Sequence, residues 1–153
     1  MRIIPPILLC IMVGLMVGAD TLLPLIRFDP PGLLWGGAAI VVLGVCIAGP
    51  AMLRFRRART NFHTFKEPGV LVTDGPYAIS RNPMYVGMVL AGLGAALITA
   101  TLAGVILAAA YALVVRYWYI AYEERAMHRQ FGERYDAYCR KVGRWLGRRR
   151  SVR

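Results

Sequence analysis

Acidic residues are scarce in this 153-residue chain, with eight Asp and Glu against nineteen Lys and Arg, for a formal net charge of +11. Charged residues of both signs make up only 18%, where a soluble domain averages about 25%. Cysteine is rarer still, and its three copies have no paired spacing. Cys10 and Cys46 fall inside apolar runs and Cys139 in the basic C-terminal part, which excludes a disulfide framework and a metal site. We expect Cys10 and Cys46 to be buried small residues and Cys139 to be a free cytoplasmic thiol. What the chain has in excess is carbon: 58% of its residues are hydrophobic, which excludes a disordered polymer. The apolar stretches have no polar face, so an ordinary water-soluble core is disfavoured.

The positive charge is concentrated. Residues 54–82 carry six basic and two acidic groups, and residues 123–153 carry ten and four. A basic chain invites a nucleic-acid reading. No basic helix with interleaved aromatics stands apart from the apolar runs, however, so no nucleic-acid partner is expected. Loops beside anionic lipid account for the same charges.

Four spans can be drawn: Ile3–Ala19, Leu33–Leu53, Met84–Ile98 and Leu102–Tyr122, the first with a possible extension through Leu22–Ile26. Pro5-Pro6, and the lack of a small-x-small pattern before Asp20, argue against a cleaved signal peptide. Residues 83–115 form one nearly unbroken apolar stretch. As a single helix it would be about 50 Å long, against about 30 Å of hydrocarbon. It must therefore turn back, and the expected turn is near Thr99–Leu102. The loop Asp20–Gly32 has one Arg and two Asp, whereas both basic segments belong on the cytoplasmic side. The expectation is an all-α integral membrane protein of about four transmembrane helices. Its last two helices form a tight hairpin (84–122), and both termini, with Arg2, face the cytoplasm. Residues 1–53 form an N-terminal pair of spans, and residues 54–153 form a region with a cytoplasmic loop, the hairpin and a C-terminal helix. The tail Gly147–Arg153 is expected on anionic headgroups. Gly87, Gly92, Gly94 and Gly104 are read as a helix-packing face. Trp35, Tyr117, Trp118, Tyr119 and Tyr122 are read as interfacial aromatics.

Two clusters carry the polar chemistry. The first runs Gly69-Val70-Leu71-Val72-Thr73-Asp74-Gly75-Pro76-Tyr77, then Ser80-Arg81-Asn82-Pro83-Met84-Tyr85-Val86-Gly87. Asp74-Gly75-Pro76 is a turn signal. Pro83 suits the first position of a helix, which leaves Arg81 at the membrane surface. The second cluster is Glu123-Glu124-Arg125, followed by Phe131-Gly132-Glu133-Arg134-Tyr135-Asp136-Ala137-Tyr138. Two carboxylates leaving an apolar helix are costly unless they meet a cation or polar ligand. If the helix continues, Glu124 has His128 or Arg129 as a pairing partner within reach.

In order and spacing these clusters, over roughly residues 60–146, resemble the isoprenylcysteine carboxyl methyltransferases and their small bacterial relatives. They also resemble phospholipid N-methyltransferases. The resemblance implies S-adenosylmethionine as cofactor, bound without the Gly-x-Gly-x-x-Gly fingerprint, which this chain lacks. It implies cofactor contacts at Gly69, Val70, Leu71, Val72, Tyr77, Asn82, Pro83, Met84, Tyr85 and Glu123, with Glu123 on the cofactor's amino group. Asn82 stands where eukaryotic members have His, and Tyr119 stands where they have Arg, with Arg116 a turn earlier. Arg81 and Arg116 are candidates for positioning an anionic substrate.

The function so implied is methyl transfer to a lipophilic acceptor that enters sideways from the bilayer, in a multi-pass protein of a bacterial inner membrane. Prenylcysteine carboxyl O-methylation, phospholipid N-methylation and a non-catalytic accessory role all remain open. A nicotinamide-dependent membrane reductase is a weaker option.

Overall fold

The computed structural model describes residues 3–22, 27–28, 30–57 and 69–147. Arg2, most of the extension Leu22–Ile26, the middle of the first basic loop (58–68) and the tail beyond Gly147 lie outside the described residues.

Among the described residues the protein is helical, and an isolated β-bridge pairs Arg27 with Thr101. The helices are α1 (Pro5–Leu22), α2 (Leu33–Arg57), α3 (Pro83–Thr99), α4 (Leu102–Val114), α5 (Ala121–Phe131) and α6 (Glu133–Lys141). A 3₁₀ turn, Gly75–Ala78, precedes α3. A π-helical stretch, Val115–Ile120, joins α4 to α5. Two continuous helices are long and apolar enough to cross a membrane, Leu33–Arg57 and Leu102–Phe131, while Pro5–Ala19 and Pro83–Thr99 are shorter apolar helices.

The helix boundaries follow local chemistry. Pro83 opens α3, where a missing N–H leaves no bond unmade. Helix α3 ends at Ala100, whose φ of 52° is left-handed and breaks the helix. Thr101 then caps α4, its hydroxyl oxygen accepting from Gly104 N–H at 3.0 Å. The Phe28 N–H donates to the Ala100 carbonyl at 2.7 Å, so the segment after α1 braces this turn.

Helix α3 packs most extensively against α2, and α1 covers α3 and α4. The α2–α3 contact is built on small residues that let the backbones approach, Gly44 facing Gly87 and Gly37 facing Gly94. Gly87 and Gly94 thus serve the packing face expected of them, but on α2. Tyr111, Val115 and Ile120 are buried under α1, and Tyr111 and Tyr119 donate to the carbonyls of Pro5 (3.4 Å) and Ile3 (2.7 Å).

The chain stays helical through Glu123 and Glu124 to Phe131, the continuation that the sequence left open. Two expectations are corrected. Cys10 and Cys46 are exposed on the apolar outer surface rather than buried. Glu124 pairs with neither His128 nor Arg129. It points inward to Arg81 and Arg144, and His128 pairs with Asp136 at 3.0 Å.

Candidate functional site: a polar cavity under the helix ends

The loop before α3 is tied down on three sides. Arg54, in the last turn of α2, donates from Nε to both Asp74 carboxylate oxygens (3.1 and 3.0 Å), and its Nη2 completes a fork on Asp74. The hydrogen bond from Arg54 holds the Asp74 carboxyl below the usual range. Tyr77 packs its ring on Phe55 with centroids 5.4 Å apart, and Tyr138 of α6 donates to the Tyr77 carbonyl at 2.6 Å. The segment after α6 pairs backbone to backbone with the loop, Arg81 N–H to Gly143 carbonyl and Gly147 N–H to Ile79 carbonyl, each at 3.0 Å.

Between this loop, the end of α2, and α5–α6 lies a cavity. Eight residues of the first cluster line it: Leu71, Val72, Tyr77, and Arg81 to Tyr85 with Asn82, Pro83 and Met84 between. Glu123 lines it too. Phe55, Glu124, Met127, Tyr135 and Tyr138 complete the wall. Gly69 and Val70 sit outside on the exposed approach to the loop. Arg116 is also outside, on the exposed side of the π-helical stretch, its guanidinium carbon 5.3 Å from the Tyr117 ring centroid.

Charge in the cavity is arranged around two adjacent carboxylates with different partners. Glu123 Oε1 accepts from the Tyr85 hydroxyl at 2.7 Å. Tyr85 in turn stacks on Tyr119, centroids 6.4 Å apart. Glu124 is shared by two cations: Arg81 Nη1 at 3.1 Å, and Arg144 through Nε (3.1 Å) and Nη2 (2.6 Å). That hydrogen bonding raises the Arg144 guanidinium further above neutrality. Arg81 is enclosed by the protein. Its side chain is only 10% exposed, and its Nη1 also reaches the Tyr135 hydroxyl (3.3 Å) and Cys139 Sγ (2.6 Å). Cys139 is a free cysteine, half-buried against this guanidinium. Arg81 Nε is buried with no acceptor. A buried N–H left unmade costs about 1–3 kcal/mol, so this donor is one that an anionic or carbonyl ligand would satisfy. Burial also pushes the hydroxyls of Tyr77, Tyr135 and Tyr138 far above the ordinary phenol value, with nearby Glu123 adding to the effect at Tyr77.

Asn82 does not aim its amide at the centre. Its Nδ2 donates to the Arg144 carbonyl at 3.0 Å, and its backbone N–H donates to Ser80 Oγ at 3.0 Å. Of the unforeseen wall residues, Tyr135 and Tyr138 belong to a motif the sequence displays. Phe55 and Met127 carry no signal beyond hydrophobicity.

The cavity, with its paired carboxylates, thus lies where long apolar helices meet a polar loop. The profile of the phospholipid methyltransferase family matches residues 33–134, and the chain belongs to that family. That stretch contains every cavity-lining residue except Tyr135 and Tyr138. The chain is also 31% identical over 111 residues to protein-S-isoprenylcysteine O-methyltransferase B of Arabidopsis thaliana, an alignment covering 69% of this chain and 55% of that one. It thus spans about half the length of the curated relative it matches.

Proposed function

We propose that the protein is an S-adenosylmethionine-dependent methyltransferase of the membrane, acting on a lipophilic acceptor. The observation that carries this reading is the cavity itself. It pairs a carboxylate oriented by a tyrosine, Glu123 with Tyr85, with a buried arginine whose Nε has no acceptor. Such a pair suits an amino-acid moiety: Glu123 would hold the ammonium and Arg81 the carboxylate or another anionic group. Tyr77, Phe55 and Met84 supply the apolar and aromatic wall that a purine or a sulfonium would lie against. The cofactor, when bound, supplies an electrophilic methyl group.

The chain's own part is to bind, orient and exclude water. A carboxylate acceptor is already ionised at neutral pH, so no general base is needed, and positioning with desolvation would supply the rate. Arg116, exposed beside Tyr117, suits the headgroup layer better than the reacting centre.

The membrane reading places α1, α2, α3 and the long helix from Leu102 across the bilayer as four spans, α3 turning back into α4 at Ala100. Helix ends with Arg54, Arg56 and Arg57, and the basic α5–α6 region, lie on the cytoplasmic side. The shortness of α3 is supported by its close contact with α2, which shields it from lipid on that side. The setting would be a bacterial inner membrane with both termini cytoplasmic.

A second acceptor class is favoured by the family's description: a phospholipid amine rather than a prenylcysteine carboxylate. Tyr119, buried and bonded to the Ile3 carbonyl, offers no cation to a substrate carboxylate. Binding of radiolabelled S-adenosylmethionine to the detergent-purified chain, wild type beside Glu123→Ala, tests the cofactor. Saturable binding lost in the variant is expected, and no binding by a folded wild type would leave an accessory role. Base-labile methyl esters or stable N-methyl groups in the product then separate the acceptors.

A further inference from the structure

The loop that walls the cavity has a second face. Tyr77 and Arg81 line the cavity, whereas Pro76, Ile79 and Ser80 line a separate groove of about 370 Å³ on the other side. Pro83 touches both. The opposite wall of the groove is the outer face of α2, at Cys46, Ile47 and Pro50, with Val86 of α3 beneath and Leu146 at one end. Ile79 and Leu146 are 58% and 69% exposed there, far more than residues of a closed core.

Three features define what fills such a groove. Its lining is almost all carbon, and the α2 that forms one wall carries further exposed apolar residues, Leu43 and Leu53 among them. Its surroundings are therefore hydrocarbon, and its filling is an alkyl chain rather than water. The two α2 residues at its cytoplasmic end also continue into cations. Arg54 lies seven residues beyond Ile47 and Arg57 seven beyond Pro50, two turns on and on the same helix face. Seven residues rise about 10 Å, which carries these guanidinium groups from chain depth to headgroup depth. Finally, the groove lies behind the loop, away from Glu123 and Arg81, so a chain seated in it is not presented to the reacting centre.

We infer that this groove is a binding site for an anionic phospholipid of the cytoplasmic leaflet, distinct from the methyl acceptor. One acyl chain packs against Ile79, Pro83 and Pro50, and the phosphate lies at Arg57, the Arg54 guanidinium being held on Asp74. The bound lipid supports the loop from behind and so couples the anionic content of the bilayer to the shape of the cavity. The inference rests on the membrane orientation proposed above, and it does not depend on methyl transfer.

The test uses the full chain in phosphatidylcholine nanodiscs doped with phosphatidylglycerol that carries a diazirine in its acyl chain. A matched photoreactive phosphatidylcholine serves as comparison. Peptides containing residues 46–50 and 79–86 should be labelled about fivefold more by the anionic lipid, the weight of one cation at a headgroup. Arg57→Gln should erase that preference. Ile79→Trp should fill the groove and lower labelling of both peptides by either lipid, while labelling of α1 is unchanged. Val86→Phe does the same from the other wall if the tryptophan variant fails to fold, as judged by thermal unfolding. Equal labelling by the two lipids, or labelling undiminished in both filled variants, overturns the inference. Displacement of the probe by whichever acceptor is methylated also overturns it, because the groove would then hold the acceptor's own chain. Absent cofactor binding alongside the expected labelling would sink the methyltransferase reading and leave the lipid site standing.

Discussion

Gly44 and Gly87 face each other across the α2–α3 contact so closely that a Cβ on Gly44 would stand 2.5 Å from the Gly87 carbonyl oxygen. A Cβ on Gly87 would come closer still to the Gly44 carbonyl. Gly37 and Gly94 repeat the arrangement, with the Gly37 position 2.7 Å from the Gly94 carbonyl. The obstruction is backbone, which no rotamer change relieves. Overpacking ordinarily costs about 1–3 kcal/mol, and Gly44→Val or Gly87→Val should lie at or beyond the upper end. Gly14→Ala, within α1 and with nothing inside 4 Å, should leave the thermal unfolding midpoint unchanged or slightly raised.

Glu124 is the buried centre of an ion triad, its side chain 13% exposed. Removing one member of such a group strands the remaining charges, typically at a cost of about 3–5 kcal/mol. Glu124→Ala should therefore destabilise the protein more than Arg144→Ala, whose side chain is 39% exposed. Thermal unfolding in detergent, wild type beside both variants, measures the order. An Arg144→Ala cost equal to or larger than that of Glu124→Ala would contradict the triad.

The Tyr85 hydroxyl donates to Glu123 and orients it. Bonds to charged groups contribute about 1.5–3 kcal/mol, so Tyr85→Phe should weaken S-adenosylmethionine binding by roughly tenfold or more. Glu123→Gln should weaken it further, because the amide keeps the shape and loses the charge. Isothermal titration on folded variants checks both, and unaltered affinity in Tyr85→Phe would remove Tyr85 from the binding machinery.

The phenols outside the spans predict the alkaline behaviour. Tyr77, Tyr135 and Tyr138 have folded-state values raised far above the unfolded value of about 10. A raised value means that the protonated form is favoured in the fold. The associated stability is fully present below pH 10 and is lost as the unfolded chain ionises above it. Titration at 295 nm should show these three among the eight tyrosines silent until the chain unfolds. Tyr77→Phe should shift the alkaline unfolding midpoint upward.

Much of the site was legible in sequence because its motifs are contiguous: Leu71-Val72, Tyr77, Arg81 to Tyr85, and Glu123 line one cavity. The start of α3 was legible for the same reason, since proline fixes a helix start locally. The partners of Glu124 were not. Arg81 and Arg144 stand 43 and 20 residues away in the chain, and only the return of the segment after α6 brings them together. The favoured partner of α3 was hidden too, since glycine spacing names a packing face without naming what packs there. The outward placement of Cys10 and Cys46 reflects a reversed rule: in a bilayer the apolar side of a helix faces its solvent.

The π-helical stretch Val115–Ile120 carries one more consequence. A π-bulge is an α-helix that has accommodated one extra residue, and each residue turns a helix by about 100°. Deleting a single residue between 115 and 120 would therefore heal the helix and leave the segments on either side close to their present orientation. A residue removed from the regular helix Leu102–Val114 has no bulge of its own to absorb it, and would turn Glu123 off the Tyr85 hydroxyl and Glu124 off its two arginines. The π-helical stretch is thus the place where the chain absorbs an indel without resetting the two carboxylates.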